Sequence, residues 1–381
     1  MKKSDLLKGS LPIKSISAKG QKVTITTEEP YPELKSELAS PFAAIYDTKA
    51  KSKVTDKPVG TGPYQIDNYK RAQKLELTKF KDYWQGKPKL NKVNVTYHED
   101  GNTRVDNLLS GKSDLTTDVP IDRISDVKNS KKANIQSTSG FRTHLLLYNH
   151  QSKKINKNVR EAFDMVINRK EIAKNISKNY AKPASTPFND RLKNVKNDKV
   201  QPQDIEKAKK LLAQEGFSKS HPLKINMVTY DGRPELPKIG QVIQSEAKKA
   251  NIDIQLRNVD DIDGYLKDPK AWDVSMYSYL TIPRGDTGYF FNTAYLPNGA
   301  LNKGHYNNKE VTQLIKKLNT SFGEKQRASV TNEILEKSKG DIPNSYITYN
   351  DQIDGVSSKV KNFNVTPESI YLIDYKVSKK E

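Results

Sequence analysis

The chain has 381 residues, enough to bury a sizeable core and to form two domains. Its 65 Lys and Arg residues outnumber 45 Asp and Glu, and because lysine is spread along the whole length this predicts a solvated basic surface. A nucleic-acid site would instead gather the charge on one face. The chain contains no cysteine, which excludes disulfides, thiolate metal sites and cysteine nucleophiles.

The N-terminus carries no sign of a targeting segment. Met1-Lys2-Lys3-Ser4 is not followed by the apolar core of a signal peptide. No apolar stretch approaches the roughly 20 residues that cross a bilayer. From the sequence as given, we therefore expect neither an export signal nor a membrane span.

The first 140 residues are rich in predicted strands. A hairpin is predicted for 14–28, because Val23, Ile25 and Thr27 alternate with polar residues as in a half-buried strand. The other elements predicted here are a helix at 31–45 with a break at Pro41, a turn at 60–63, strands at 64–69, 74–79 and 93–97, and a helix at 100–111.

The remainder of the chain alternates between strands and helices. Leu145, Leu146 and Leu147 form an apolar run that predicts a strand at 142–149, buried on both faces and crossing between two lobes. The order of elements from 223 to 349 indicates an α/β lobe. The other predicted elements are helices at 159–176, 204–215, 236–250, 311–322 and 325–340, and strands at 223–228, 252–256, 273–279 and 345–349.

Six short motifs occur in an order that resembles one known family. The first is Gly60-Thr61-Gly62-Pro63-Tyr64, and the second is Tyr83-Trp84 with Lys87-Pro88-Lys89-Leu90. The others are 100–104 (DGNTR), 159–169 (VREAFDMVINR), Lys182-Pro183-Ala184 with Pro187, and 207–217 (KAKKLLAQEGF). Together they resemble the solute-binding proteins of peptide and nickel ABC importers, extracellular solute-binding protein family 5 or cluster C, in the nickel/oligopeptide-binding branch.

The resemblance implies a fold and a division of the chain. The fold would be α/β and bilobed, of the periplasmic-binding-protein type II class, with two α/β lobes joined by a hinge. Residues 1–143 would form the first lobe, 144–346 the second, and 347–381 a return segment packing on the first. Family members carry a longer N-terminal region, including the signal, so we expect a shortened chain with an incomplete first lobe.

The resemblance also implies a function. We expect the substrate-binding component of an ABC importer, which captures nickel as a small-molecule chelate, for example with histidine, in a cleft between the lobes and delivers it to the permease subunits. The alternative is an oligopeptide-binding protein. The family implies a monomer that is not an enzyme, has no prosthetic cofactor and binds no nucleic acid. It also implies a place outside the cytoplasm at the cell surface, with a lipoprotein anchor in the full-length form.

The sequence motifs do not support an enzymatic function. No HExxH, GxSxG, Walker A or GxGxxG pattern occurs. A hydrolase would need a nucleophile, a base and an orienting group, and the sequence alone does not assemble such a set.

Three basic residues are candidates for ligand contact. Arg284 could pair with a ligand carboxylate in a bidentate fork, or be an exposed loop residue. His305 could ligate a metal through its neutral imidazole, or be a loop histidine without a role. Arg142, at the start of the crossing strand, could face the cleft or pair with a nearby acid.

The remaining candidates lie in or near an aromatic stretch, 277–305. Tyr265, Tyr279 and Tyr289 could stack on a ligand or donate a phenolic hydrogen bond, and core packing would explain each equally well. Asp286 completes the predicted site, with turn capping as the alternative.

Overall fold

The computed structural model describes residues 11–50, 53, 55–368 and 371–380. The predicted lack of a signal at Met1-Lys2-Lys3-Ser4 lies outside these residues. The chain forms two compact units. The large unit contains the described residues up to Ala39 together with Phe141–Asn350, and the small unit contains Ser40–Gly140 and the described residues after Asn350. The division predicted at 143/144 and 346/347 stays a prediction.

The chain forms both strands and helices, as the sequence predicts for an α/β protein, and the two kinds of element alternate over most of its second half. The strands are β1 Ile13–Lys19, β2 Lys22–Thr27, β3 Tyr64–Lys70, β4 Lys74–Lys79, β5 Lys92–Thr96, β6 Leu115–Thr116, β7 Ala133–Tyr148, β8 Ala181–Pro183, β9 Leu223–Thr229, β10 Ile252–Asn258, β11 Val274–Leu280, β12 Asn344–Ser357, β13 Val360–Lys361 and β14 Ser378–Lys379. The helices are α1 Leu34–Leu38, α2 Gly101–Leu109, α3 Ile124–Asn129, α4 Lys157–Val166, α5 Arg169–Glu171, α6 Ile205–Gln214, α7 Glu235–Lys249, α8 Ile262–Tyr265, α9 Gly288–Phe290, α10 Lys309–Asn319 and α11 Glu324–Lys339. Short 3-10 turns occur at Pro41–Ala43 and Ile121–Arg123, and π-helical turns at Ile172–Ile176 and Phe291–Tyr295.

The large unit is built on a mixed sheet with the strand order β10-β9-β11-β7-β12, and β8 also pairs with β12. β10 and β11 run parallel to β9, whereas β11 runs antiparallel to β7. Leu146 belongs to the core that α4, α6 and α7 cover, and Leu145 and Leu147 belong to the core on the other face. The predicted strand buried on both faces is therefore confirmed, and it explains the unbroken leucine run.

Helix bounds differ from the predicted ones where local polar groups intervene. The helix predicted for 159–176 ends at Val166, and Asn168 starts a new turn by accepting a hydrogen bond from the Glu171 N–H (3.2 Å). Apolar periodicity continues across this break, so the pattern alone did not locate it. The helix predicted for 31–45 is shorter, Leu34–Leu38, and Pro41, where a break was predicted, begins a separate 3-10 turn.

The small unit contains the antiparallel sheet β3-β4-β5, in which Leu75 lies opposite Val95. Beside this sheet, Arg104 of the 100–104 motif donates to the carbonyls of His98 (2.8 Å) and Glu99 (2.7 Å). Arg104 therefore stabilises the loop that contains His98 and Glu99. Within the described residues, no helix is both long and apolar enough to cross a membrane.

Candidate functional site

The predicted site residues lie in the large unit, several of them just after β11. There the chain forms a loop that leads into α9, and Asp286 accepts a hydrogen bond from the N–H of Gly288, the first residue of α9 (2.7 Å). Gly288 has no side chain, and a Cβ atom there would lie 1.8 Å from Glu33 Oε1. The loop can approach the N-terminal segment this closely because residue 288 is glycine.

The aromatic side chains of this region pack on one another. Phe290 is buried, with its ring centroid 5.9 Å from that of Tyr279, 5.9 Å from that of Phe291 and 5.3 Å from that of Tyr295. Tyr279 is also buried, and its hydroxyl donates to the Leu301 carbonyl. Burial raises the pKa of Tyr279 well above its ordinary value. Its ring and hydroxyl are both engaged in the core, so its contact with a ligand stays a prediction.

Arg284 already holds a carboxylate. Its Nη1 donates to Oε1 of Glu37 on α1, and its guanidinium carbon lies 5.6 Å from the ring centroid of Tyr289. Glu37 is 3% exposed, and its Oε2 has no hydrogen-bond partner among the described residues. Burial raises the pKa of Glu37, and the charge and hydrogen bond of Arg284 oppose this. Arg284 thus binds a carboxylate of the protein itself, and its contact with a ligand carboxylate stays a prediction.

Asp286 pairs with a second arginine that the sequence did not indicate. Arg327, on α11, donates from Nε to Asp286 Oδ2 (2.9 Å) and from Nη2 to Glu33 Oε1 (3.0 Å). Burial, followed by the charge of Asp286, raises the pKa of Glu33 to about 7, against the opposing effect of Arg327. Arg327 therefore ties together the loop, α11 and the segment before α1.

His305 and Tyr265 take no part in the ion pairs of Arg284 and Arg327. His305 is exposed and has a left-handed backbone (φ 59°). Its backbone N–H donates to the Asn302 carbonyl (3.3 Å). The Tyr265 hydroxyl donates to the Ala271 carbonyl (3.3 Å). The described residues contain no group of three or more His, Asp or Glu side chains that could hold a metal ion. A metal at His305 would therefore need further ligands from a chelator.

Arg142 belongs to a polar network that the sequence did not reveal. Its Nη1 donates to Ser278 Oγ (3.3 Å), and Ser278 Oγ lies 3.0 Å from His144 Nδ1. His144 Nε2 lies 2.9 Å from Glu235 Oε1. Burial lowers the pKa of His144. Burial by itself raises the pKa of Glu235, but the hydrogen bond from His144 outweighs this effect and lowers the pKa to about 2. A neutral His144 thus donates to an ionised Glu235.

The order Ser278, His144, Glu235 resembles the nucleophile, base and orienting group of serine hydrolases. The ring is reversed, however, because Nδ1 faces the serine here and Nε2 does so in those enzymes. His144 is fully buried, and the Ser278 oxygen accepts a hydrogen bond from Arg142. We therefore interpret this network as a support for Arg142.

Removing the Glu235 carboxylate should destabilise the large unit. Glu235→Ala leaves the buried His144 N–H without an acceptor, so we expect the free energy of unfolding to fall by about 1–3 kcal/mol. Glu235→Gln, whose amide oxygen can still accept, should lose less. Urea denaturation followed by Trp272 fluorescence reports on the large unit once exposed Trp84, in the small unit, is replaced by phenylalanine. Equal losses in the two variants would contradict this hydrogen bond as the source.

Comparisons with known proteins identify a family and several relatives of this chain. The profile for bacterial extracellular solute-binding proteins, family 5 Middle, matches residues 3–302. The nickel-binding protein NikA of Staphylococcus aureus (strain NCTC 8325 / PS 47) is 60% identical over 378 residues, which cover 99% of this chain and 77% of that protein. The crystal structure of NikA from Staphylococcus aureus in complex with Ni(L-His)2 matches with a TM-score of 0.85, covering 100% of this chain and 82% of that one.

Two further relatives are more distant. The structure of a nickel ABC transporter protein from Bacillus halodurans is 32% identical, with a TM-score of 0.84, and the match covers 98% of this chain and 81% of that one. The dipeptide-binding protein DppE of Bacillus subtilis (strain 168) is 27% identical over 319 residues, covering 81% of this chain and 58% of that protein. The sequence identity to the nickel-binding protein NikA, 60%, is thus more than twice the 27% identity to the dipeptide-binding protein DppE.

Proposed function

Because the chain belongs to the bacterial extracellular solute-binding proteins of family 5, we propose that it is the substrate-binding component of an ABC importer and captures nickel as a small-molecule chelate, such as a complex with histidine. The observation that carries this proposal is the 60% identity, over almost the whole chain, to a protein whose structure contains Ni(L-His)2. The relatives are named as binding proteins, and we propose no catalytic step for this chain.

The partners and location follow from the same proposal. An importer component acts outside the cytoplasm and delivers its cargo to permease subunits in the membrane. We propose this location and these partners for the chain, with a lipid anchor in the full-length form and a monomeric state. The nickel chelate is the cargo, so no prosthetic group is required.

The candidate residues supply chemistry that suits such a cargo. His305 is an exposed imidazole available as a nickel ligand. Arg142 and Arg284 carry guanidinium groups that bind carboxylates, and histidine in a chelate has one. Tyr265, Tyr289 and Tyr279 would supply aromatic surface and Asp286 would position the loop, as the sequence predicts.

The second candidate function is oligopeptide binding. It is favoured by the match to the dipeptide-binding protein DppE. A peptide also offers a carboxylate to the same arginines, so the two functions use overlapping chemistry. The identity of 27% against 60% favours the nickel chelate.

Native mass spectrometry separates these functions. The protein is sprayed with nickel, with nickel plus L-histidine, and with a mixed peptide pool. We expect a mass shift with nickel plus L-histidine, because the described residues contain no group of three or more His, Asp or Glu side chains that could hold nickel without a chelator. Retained peptides without a nickel adduct would favour the oligopeptide function and overturn the nickel proposal.

Two variants test the proposed contacts with the chelate. His305→Ala should weaken binding of preformed Ni(L-His)2 by about 10–100-fold if its imidazole ligates the metal. His221→Ala is the matched control, because His221 is also an exposed histidine of the large unit and stacks on Phe217. Equal affinities of the two variants would remove His305 from the site and leave the chelate proposal to rest on Arg142 and Arg284.

A further inference from the structure

Three carboxyl groups and two guanidinium groups form one largely buried group of charges in the large unit, which we call the carboxylate cluster: Glu33, Glu37, Asp286, Arg284 and Arg327. Its two arginines differ in how fully they are engaged. Arg327 donates to Asp286, to Glu33 and to the carbonyls of Leu318 (2.8 Å) and Ser321 (3.2 Å). Among the described residues, Arg284 donates only from Nη1, to Glu37.

The pair formed by Arg284 and Glu37 is incomplete on both sides. An arginine fork usually binds a carboxylate through two parallel hydrogen bonds. Here Glu37 Oε2 is buried with no partner among the described residues. The Arg284 side chain is 17% exposed and that of Glu37 is 4% exposed. The arginine therefore keeps spare donors that reach solvent, and the glutamate keeps a spare acceptor that does not.

The surroundings of Glu37 favour a proton. With all carboxyl groups ionised, the three acids outnumber the two arginines of the cluster by one charge. Tyr31 also senses the charges of this cluster: burial, followed by the charges of Glu37 and Glu33, raises the pKa of its hydroxyl. Burial raises the pKa of Glu37 and Asp286 raises it further, whereas Arg284 lowers it. The contact with Arg284 therefore favours the ionised form of Glu37, and losing it would raise the pKa of Glu37 further.

We propose that Glu37 is an internal competitor for Arg284: a carboxylate of the incoming ligand replaces Glu37 on the Arg284 guanidinium, and the displaced Glu37 takes up a proton from solvent. This inference rests on the proposed capture of a chelate that carries a carboxylate. It adds a specificity element to that function. A ligand must offer Arg284 a better carboxylate than the one built into α1, so a nickel complex without a carboxylate gains nothing at this position.

The step is balanced in charge. Before binding, Arg284 is neutralised by Glu37; afterwards it is neutralised by the ligand carboxylate, and protonated Glu37 is neutral. One ligand charge thus enters with one proton, and no net charge is added to the buried cluster. Binding of the ligand is therefore linked to proton uptake, and it weakens as the pH rises.

Calorimetry measures the proton directly. Preformed Ni(L-His)2 is titrated into the protein at one pH in phosphate and in Tris, and the difference in heat gives the number of protons exchanged. We expect the wild type to take up about one proton more per chelate than Glu37→Gln. The variant should bind roughly threefold more tightly or better, because the competitor is weakened. Glu29→Gln, an exposed glutamate of the same N-terminal segment, is the matched control and should behave as the wild type.

A second ligand keeps the test independent of how well Glu37→Gln folds. Nickel bound to histamine lacks the carboxylate, so the wild type should bind it with about one proton less than Ni(L-His)2. Equal proton numbers for the two ligands, or for the wild type and Glu37→Gln, would overturn the competition and leave the proposed function standing. An absence of binding heat with Ni(L-His)2 in all three proteins would overturn the proposed function itself, and the competition with it.

Discussion

Replacing Arg327 with methionine should lower the free energy of unfolding of the large unit by about 3–5 kcal/mol. The reason is that Arg327 donates to Asp286, Glu33 and two backbone carbonyls within a buried cluster. Methionine fills a similar volume and donates nothing, so Glu33 and Asp286 would face each other uncompensated. Urea denaturation followed by Trp272 fluorescence in the Trp84→Phe background measures the loss.

The pH dependence gives this prediction a second test. The pKa of Glu33 is raised by burial to about 7 in the folded protein, so its contribution to stability is present below its ordinary value of 4.5 and is lost as the pH rises through about 7. Removing Arg327 removes an opposing effect, so the loss in Arg327→Met should be larger at pH 8 than at pH 5. Lys325→Met, an exposed position on the same helix, should change stability by less than about 0.5 kcal/mol. A loss independent of pH would argue against the charge balance as its source.

Replacing Phe290 with alanine should cost about 3–5 kcal/mol of unfolding free energy. Phe290 is 1% exposed, and its ring packs edge-to-face on those of Phe188, Tyr279, Phe291 and Tyr295. Alanine would leave a cavity lined by these rings, because they are held by neighbours on several elements and can close over it only in part. The same fluorescence assay applies.

An exposed phenylalanine of the same unit provides the control. Phe322 is 57% exposed, so Phe322→Ala should change the unfolding free energy by less than about 0.5 kcal/mol. A small loss for Phe290→Ala would show that the aromatic stretch is loosely packed. The rings would then be more readily available to a ligand, as the sequence analysis allowed for Tyr279 and Tyr289.

The elements most accurately predicted are those whose signal is local. The run Leu145–Leu147 identified a strand buried on both faces, and residues from both sides of it enter separate cores. The six ordered motifs identified the family, which the profile match and the 60% identity confirm, together with the α/β fold class. The end of α4 was missed because apolar spacing continues through Asn168, whose capping bond outweighs it.

The site shows where sequence reasoning ends. Arg284 and Asp286 were singled out in their loop, but their partners Glu37 and Arg327 lie far from it along the chain. Nothing in the sequence around Glu37 or Arg327 marks them as partners of that loop. His144 and Glu235 were likewise overlooked, because a histidine and a glutamate separated by some ninety positions form no pattern until β7 and α7 are packed together.

The sequence by itself thus determined the family, the α/β class, the order of the elements and a set of side chains able to bind a carboxylate or nickel. These properties follow from local periodicity and from motifs whose order survives without coordinates. Only the tertiary structure decided which of those side chains are already engaged, because pairing of buried charges depends on which elements meet in space. Arg284 and Asp286 meet Glu37 and Arg327 in one largely buried cluster, and the desolvation of that cluster, which no sequence pattern encodes, raises the pKa of Glu33 and of Glu37.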